Sequence, residues 1–348
     1  MHRVSASDAD AGRVLDSLML PFDRGMLDWP ASGVLCLRAR PGVAMTGRRG
    51  LVCSQGFKPD ADALEAAGFE LDADPARRYE VVLVLPPRQR DEARALFAEA
   101  IARCAPGGRV VASVANNAGA KTAEGDLAAV AGGVSVESKY KCRVFWTAPL
   151  QGPADPALAA QWTAADTPRP IAGGRFLSRP GLFAWDRIDP ASALLAQHLP
   201  ADLAGDAADL GAGFGFLSAE LLERCPAIRT LDVIEAEARA LELARTNLER
   251  YQDRAELHFH WLDATRGLPG RYDVIVTNPP FHAGDRLDRP GLGRRFIDVA
   301  AAALRPRGRL WLVANRHLPY EDTFAAAFAQ VRTVAFGGGF KVIEGVRA

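Results

Sequence analysis

Apolar runs that stop abruptly at turn-forming residues recur along the whole chain. Residues 81–85, 274–276 and 310–313 are aliphatic or aromatic without a polar interruption, which is typical of strands covered on both faces of a parallel sheet. Helix-forming stretches lie between such runs, as in residues 216–222, which combine Leu, Ala and Glu. This alternation predicts an α/β protein with doubly wound, Rossmann-like sheets.

The same series of patterns occurs twice, in the same order. We interpret this as duplication of one doubly wound α/β domain, giving two tandem Rossmann-like domains. A shared strand–helix–strand pattern without common ancestry is the alternative, and it predicts the same fold. The matching segments are 34–42 with 207–215, 79–87 with 272–280, 106–111 with 306–311, 114–116 with 313–315, and 140–144 with 340–344.

The first copy has lost the residues that would carry chemistry. Leu85 stands where the second copy has Asn278, and Arg38 and Arg40 stand where it has Gly211 and Gly213. Their side chains would crowd a turn at which a ligand needs bare backbone. We therefore expect a degenerate domain over residues 1–155 and a functional domain over residues 170–348. The intervening stretch is rich in Pro and Ala, with one short helix at 157–162.

Composition narrows the class of protein. With 42 basic and 42 acidic side chains the net charge is zero, so binding to nucleic acid would require a local basic patch. The five cysteines are scattered without a C-x-x-C pair, which suggests neither a zinc site nor a disulfide framework. No apolar run has transmembrane length, and the N-terminus lacks a secretory core. We expect a cytoplasmic protein without a metal or a membrane partner.

A glycine-rich turn opens the second copy. A strand over residues 206–210 leads into Gly211, Gly213 and Gly215, and a helix follows. Glycines at such a turn permit positive φ and close approach of a nucleotide to the backbone. The next strand ends at Glu235, which suits the two ribose hydroxyls, and a third ends at Asp263, which suits an adenine amino group. This ordered set is far more specific than the turn alone.

A fourth strand runs directly into Asn278, Pro279, Pro280 and Phe281. Two prolines fix φ and remove two backbone donors, so the strand must end in a stiff turn. The Asn278 side chain and the Pro279 carbonyl could accept hydrogen bonds from an amine, while Phe281 could stack on a planar base. Taken alone, the four residues could also be a rigid loop.

These motifs together resemble those of class I S-adenosylmethionine-dependent methyltransferases, and Asn-Pro-Pro-Phe resembles the branch that methylates amines. Further strings at 180–183, 188–195, 313–320 and 340–342, with the long N-terminal half, resemble the RsmC family of ribosomal RNA guanine-N2 methyltransferases. The resemblance implies a guanine of ribosomal RNA as substrate, small-subunit 16S RNA first and large-subunit RNA as the alternative. One rival is a glutamine-amide protein methyltransferase, and a second rival, from another class, is a non-enzymatic RNA-binding protein.

The resemblance also implies a set of site residues. Catalysis falls to Asn278, Pro279 and Phe281. S-adenosyl-L-methionine would be held by the residues of the turn and the strand ends: Asp209, Gly211, Gly213, Gly215, Glu235, Asp263 and Asn278. His282 we expect in a substrate loop or in packing rather than as a base.

A basic segment follows the Asn-Pro-Pro-Phe turn and suggests how RNA is held. It carries Arg286, Arg289, Arg294 and Arg295 on a stretch that we predict to be a Gly/Pro-rich loop, which suits contacts with phosphate. A solvated loop paired with its own aspartates is the alternative. Phe281 would stack on the flipped target base. The degenerate copy would recognise RNA or support folding, and we expect a monomer.

Overall fold

The chain divides into two compact units, the first ending at Thr167 and the second beginning at Pro168. The computed structural model describes residues 6–31, 33–280 and 290–348. Within them, no helix is long and apolar enough to cross a membrane.

The first unit is a seven-stranded sheet with helices on both faces. Its strands are β1 (Val34–Leu37), β2 (Leu51–Ser54), β3 (Glu70–Leu71), β4 (Tyr79–Val84), β5 (Cys104–Ala115), β6 (Ser135–Lys139) and β7 (Cys142–Trp146). Its helices are α1 (Ala6–Asp23), α2 (Lys58–Ala66), α3 (Arg90–Ala102), α4 (Ala120–Ala131) and α5 (Pro156–Ala165). Helix α5 occupies the predicted connection, where the Asp155 side chain caps its start and Trp162 is buried.

The second unit repeats this architecture. Its strands are β8 (Arg169–Ile171), β9 (Phe176–Ser178), β10 (Ala204–Leu210), β11 (Ala227–Glu235), β12 (Glu256–Trp261), β13 (Tyr272–Thr277), β14 (Leu304–Asn315), β15 (Gln330–Gly337) and β16 (Phe340–Val346). Its helices are α6 (Pro190–His198), α7 (Phe216–Arg224), α8 (Ala238–Leu248), α9 (Pro290–Ala303) and α10 (Glu321–Ala327). Strands β8 and β9 pair separately as a small hairpin.

Both large sheets have the same strand order. It is β3-β2-β1-β4-β5-β7-β6 in the first unit and β12-β11-β10-β13-β14-β16-β15 in the second. In each, the first five strands are parallel, and the sixth, β7 or β16, runs antiparallel to both of its neighbours. The order reverses between β10 and β13, and ligands of such sheets bind at the carboxyl ends of the strands beside this reversal. The α/β fold with two Rossmann-like domains is confirmed.

Even the register of the strands agrees between the two units. Val34 lies opposite Val81 as Ala207 lies opposite Val274. Both sheets also have the same irregularity one strand further along, after Tyr79 and after Tyr272 respectively. The alignment of 34–37 with 207–210 and of 79–84 with 272–277 therefore matches the backbone residue for residue. The turns that follow β1 and β10 differ, because Gly42 has φ of −174° and its counterpart Gly215 has φ of 91°.

Two of the proposed sequence matches are out of register. Ala115 lies opposite Cys142, and Asn315 lies opposite Phe340. Residues 140–144 are therefore two positions, and Asn116 one position, away from the counterparts that the sequence suggested. The aromatic–Lys pairs at 140–141 and 340–341 look alike, but a two-residue turn fixes the pairing of a hairpin. The turn Tyr140–Lys141 corresponds to Gly338–Gly339.

The core explains why the strands are apolar along their whole length. In the second unit, Val274 and Val276 of β13 point to one buried cluster, and Ile275 points to another. Each face of the sheet is thus covered by helices, and both side-chain sets of a central strand are removed from water. The carboxyl ends of these strands are left to carry polar residues.

Candidate functional site

The glycine-rich turn joins β10 to α7 in a conformation that side chains disfavour. Gly211, Gly213 and Gly215 have φ of 71°, 56° and 91°. A Cβ on Gly213 would meet nothing within 4 Å, so the turn presents bare backbone to open space. Its amides are fastened to the end of β11, because the N–H groups of Gly211 and Ala212 donate to the Ile234 carbonyl at 2.9 and 3.1 Å.

Glu235 ends β11 next to this turn and is held by main-chain donors. Its Oε2 accepts from the Gly213 N–H at 2.8 Å, and its Oε1 accepts from the Glu237 N–H at 2.8 Å. Burial raises the pKa of Glu235, while these backbone hydrogen bonds lower it. Each carboxylate oxygen keeps a further lone pair. The group is therefore a fixed acceptor beside the turn, as a pair of ribose hydroxyls requires.

Asp209 lies behind the turn, fully buried near the end of β10. Its Oδ2 accepts from the Ser218 hydroxyl at 2.7 Å, while its Oδ1 is buried without a hydrogen-bond partner in the structure. The pKa of Asp209 is raised to about 7, chiefly by burial, with the Ser218 hydrogen bond lowering it and the charge on Glu235 raising it. The protonation of buried Asp209 therefore depends on the charge of Glu235 at the turn.

Asp263 follows β12 and shapes the next loop. Its Oδ1 accepts from both the N–H and the hydroxyl of Thr265, at 3.0 and 2.7 Å. The side chain thereby caps a short 3-10 helix over Ala264–Arg266. The structure brings Asp263 to the same sheet edge as Glu235, because β12 lies next to β11 in parallel register.

Asn278 follows β13 and its amide is oriented by helix α6. Its Nδ2 donates to Asp189 Oδ2 at 2.9 Å and to the Ser192 hydroxyl at 2.8 Å. Its Oδ1 is buried and has no hydrogen-bond partner in the structure. A carboxylate can only accept, so it fixes the amide nitrogen on its own side and turns the oxygen away. The result is an unused acceptor at the carboxyl edge of the sheet, beside the buried Pro279.

Sequence reasoning missed the role of Asp189 and Ser192. Residues 188–195 contributed only to the family resemblance. The local signal was present, since Asp-Pro-Ala-Ser is a helix-start pattern, and Asp189 does cap α6 by accepting from the Ser192 N–H at 2.8 Å. Its second partner, Asn278, lies far away along the chain and could not be read from spacing.

The arginine set is only partly within the described residues. Phe281, Arg286 and Arg289 lie outside them, as does His282. The prediction that Arg294 and Arg295 belong to a loop is wrong, because both lie in α9. Proline starts this helix, as it favours the first helical position. Arg294 is exposed, whereas Arg295 donates from Nε to the Thr265 carbonyl at 2.7 Å.

The first unit keeps only the start of this turn and none of its polar side chains. Arg38 has φ of 54°, close to the 71° of its counterpart Gly211, and its guanidinium donates to Glu92 Oε1 at 2.5 Å. Leu85, the counterpart of Asn278, is buried and has no side-chain acceptor. The first position of the turn is thus alike in the two units, with an arginine in a conformation usually left to glycine. The next positions differ, since Arg40 lacks the positive φ of its counterpart Gly213.

A group of potential metal ligands lies in the second unit away from this edge. Asp232, His258 and His260 bring their ligand atoms within 4.8 Å of one another. Asp232 is already engaged: it accepts from the Tyr272 hydroxyl at 2.5 Å and lies 3.0 Å from His258 Nδ1. Burial, followed by the hydrogen bond to Asp232, raises the pKa of Tyr272, and hydrogen bonds to Glu256 and Asp232 raise the pKa of His258. The absence of a metal stays a prediction.

Comparison with known proteins shows similarity to methyltransferases in each case. Residues 173–344 match the family described as methyltransferase small domain. The chain is 33% identical over 291 residues to ribosomal RNA small subunit methyltransferase C of Pseudomonas aeruginosa (strain UCBPP-PA14), covering 83% of this chain and 85% of that protein. It is 35% identical over 213 residues to ribosomal RNA large subunit methyltransferase G of Alcanivorax borkumensis, covering 61% of this chain and 48% of that protein.

One solved structure resembles nearly the whole chain. It is the T. thermophilus 16S rRNA N2 G1207 methyltransferase (RsmC) in complex with AdoMet and guanosine, with a TM-score of 0.77 at 25% identity. The similarity covers 96% of this chain and 92% of that one, so it includes both units.

Proposed function

Because this chain belongs to the ribosomal RNA small subunit methyltransferase C family, we propose that it methylates the exocyclic 2-amino group of a guanine in small-subunit ribosomal RNA. S-adenosylmethionine is the methyl donor. The counterpart of G1207 of the T. thermophilus protein is the nucleotide we propose. The observation that carries the proposal is the orphaned Asn278 Oδ1, a buried acceptor without a partner at the carboxyl edge of the sheet.

Asn278 has the properties that a poor amine nucleophile requires. The lone pair of an arylamine is delocalised into the ring, and acceptors for both N–H groups favour the pyramidal nitrogen that can attack. We assign these acceptors to Asn278 Oδ1 and to the Pro279 carbonyl. They also stabilise the positive charge that develops on nitrogen. The resulting ammonium is acidic and loses its proton readily, so the mechanism needs no strong base.

The cofactor belongs at the glycine-rich turn of the second unit. It supplies a methyl group on a sulfonium, and the protein's part is alignment of the amine with that carbon. The bare backbone at Gly213 and the fixed carboxylate of Glu235 fit a nucleoside. Asp263 is assigned to the adenine amino group. Buried Asp209 does not contact the cofactor in this assignment but interacts electrostatically with Glu235. Phe281 is assigned to stacking on the base.

Arginines carry the proposed contacts with RNA in the second unit. Arg294 is exposed on α9, and Arg295, Arg286 and Arg289 are assigned with it to phosphates near the target base. The first unit we assign to RNA recognition rather than to chemistry. The protein acts as a monomer in the cytoplasm.

Transfer of tritiated methyl followed by nucleoside analysis tests the function. The substrates are small ribosomal subunits, naked small-subunit RNA, large-subunit RNA and a glutamine-containing protein, with Asn278→Ala as the inactive control. We expect label in N2-methylguanosine of small-subunit RNA only. Label in large-subunit RNA would indicate the specificity named for the methyltransferase G relative. The similarity covers less than half of that relative. Label in protein would overturn the proposal.

A further inference from the structure

The hairpin between β6 and β7 turns through two residues that are unusual in such a position. Tyr140 and Lys141 have φ of 56° and 60°. Turns with positive φ at both positions are normally made by Asn and Gly or by two glycines. The matching turn of the second unit has Gly338 and Gly339, with φ of 57° and 86°. The first unit therefore holds two side chains in a conformation that its counterpart leaves to glycine.

Both side chains are exposed, and a neighbouring lysine lies over the tyrosine ring. The Tyr140 ring is 42% exposed, and Lys139 Nζ lies 4.9 Å from its centroid. The turn is also anchored, because the Asn116 N–H donates to the Lys141 carbonyl at 2.9 Å. An aromatic ring is thus displayed to solvent between two lysines on a fixed backbone. Strain retained at an exposed position points to a function for the side chains.

More positively charged side chains lie next to the hairpin, at the end of the sheet where the parallel strands have their carboxyl ends. Lys121 and Arg143 line a cavity of about 350 Å³ together with Asn116 and Thr122. Helix α4 starts at this cavity from Gly119 without a side-chain cap, so its first N–H groups face the same space. The opposing charge is Glu124, which accepts from Arg143 Nε at 2.5 Å.

We propose that this basic hairpin surface, made of Lys121, Lys139, Tyr140, Lys141 and Arg143, binds an unpaired nucleotide of ribosomal RNA. Tyr140 stacks on the base, and the cations contact the flanking phosphates. An exposed ring can accept a base only where the base is not already stacked in a duplex, so the partner is a single-stranded segment or a bulge. The inference rests on the proposed function, since it specifies how the first unit recognises that RNA.

The full-length protein provides the test, with the RNA form that the wild type methylates. Stacking on one base is worth a factor of roughly ten to one hundred in affinity. Tyr140→Ala should therefore raise Kd and KM for RNA by about that factor, with kcat nearly unchanged, and Tyr140→Phe should restore both. Replacing Lys121, Lys139 and Lys141 by Ala should reduce the slope of log K against log salt by about two.

A glycine replacement separates function from folding. Tyr140→Gly combined with Lys141→Gly matches the turn of the second unit and should raise Tm while weakening RNA binding. An unchanged RNA affinity in this variant and in Tyr140→Ala would overturn the proposal. Arg78→Ala, which removes an exposed cation just before β4 at the opposite edge, is the control and should leave RNA affinity intact. If the wild type itself methylates no RNA, the proposed function fails instead.

Discussion

At the scale of single residues, the orientation of one amide decides what the site can do. The oxygen and nitrogen of an asparagine side chain differ only in whether they accept or donate. The carboxylate of Asp189 removes this ambiguity for Asn278, because it can accept only from the nitrogen. The Ser192 hydroxyl supports the same orientation. The acceptor that we assign to the substrate amine is thus oriented by the protein itself, which preorganises it for the reaction.

Removing the Asn278 acceptor should affect the chemical step. Asn278→Ala should lower the single-turnover rate by about two to three orders of magnitude and leave cofactor affinity nearly unchanged. Asp189→Asn should also lower the rate, because an amide partner permits Asn278 to flip. Ser192→Ala is the milder control, since the carboxylate remains. A normal single-turnover rate for Asn278→Ala at saturating RNA would contradict the assignment.

The buried acid Asp209 should couple cofactor binding to protons. Its pKa of about 7 leaves it partly protonated at neutral pH, and S-adenosylmethionine carries net positive charge. A cation at the turn lowers that pKa, so binding should release protons and strengthen as pH rises through about 7. Calorimetry in buffers of different ionisation enthalpy measures the release. Asp209→Asn should abolish it, and unchanged proton release in that variant would rule out Asp209 as the source.

The same group has a predictable effect on folding without the cofactor. A carboxyl whose pKa is raised by folding binds more protons in the folded state than in the unfolded one. The free energy of unfolding should therefore fall as pH rises from about 4 to about 7 on account of Asp209. Denaturant titrations across this range should show a shallower decline for Asp209→Asn than for the wild type.

At the scale of elements, close packing of α9 holds one end of the proposed RNA-binding segment. Gly293 of α9 lies against Tyr320, which is fully buried. A Cβ on Gly293 would overlap the Tyr320 hydroxyl. The helix can approach this ring only because no side chain stands between them. The position of Arg294 and Arg295 on the exposed side of α9 follows from the same contact.

Two glycines in one helix should respond oppositely to alanine. Gly293→Ala should destabilise the protein, because the buried Tyr320 ring has no room to move, and overpacking costs about 1–3 kcal/mol. Gly291→Ala meets nothing within 4 Å and should stabilise by about 0.5–1 kcal/mol through helix propensity. Thermal unfolding of both variants gives the comparison. Equal shifts in Tm would show that the contact with Tyr320 is unimportant.

Some helices, strands and contacts of the site could be predicted from the sequence, and others could not. Apolar runs predicted the central strands, because burial on both faces leaves a strong local signal, and strand ends located Glu235, Asp263 and Asn278. The support of Asn278 by α6 could not be predicted, since it joins distant parts of the chain. The helix at Arg294 was mistaken for a loop because Gly291 and Gly293 mimic one. There, tertiary packing and not local preference decides the conformation.

At the scale of the whole molecule, two sheets with the same strand order carry different residues at the carboxyl ends of their strands. The second has glycines and an amide at the reversal of strand order, and the first has Arg38, Arg40 and Leu85 in their place. Arg38 shares the positive φ of Gly211, but Gly42 at −174° does not share the 91° of Gly215, so the two turns differ in backbone as well as in side chains. A fold therefore does not by itself define a function.

This asymmetry predicts one cofactor per chain. Calorimetry should give a stoichiometry of one, and Glu235→Ala should weaken binding at least roughly tenfold, given about 1.5–3 kcal/mol per hydrogen bond to a charged group. Arg38→Gly should leave both values unchanged, because Arg40 still stands at the position of Gly213. A stoichiometry of two, or undiminished affinity for Glu235→Ala, would contradict the assignment.

The shared register of the two sheets also bears on how the chain avoids misassembly. Tandem domains of the same topology can exchange equivalent strands while folding, and here an exchanged β1 or β10 would find a partner ladder of matching spacing. What distinguishes the two strands is their side chains, Val-Leu-Cys-Leu against Ala-Ala-Asp-Leu at the paired positions. These different side chains favour the pairing of each strand within its own sheet.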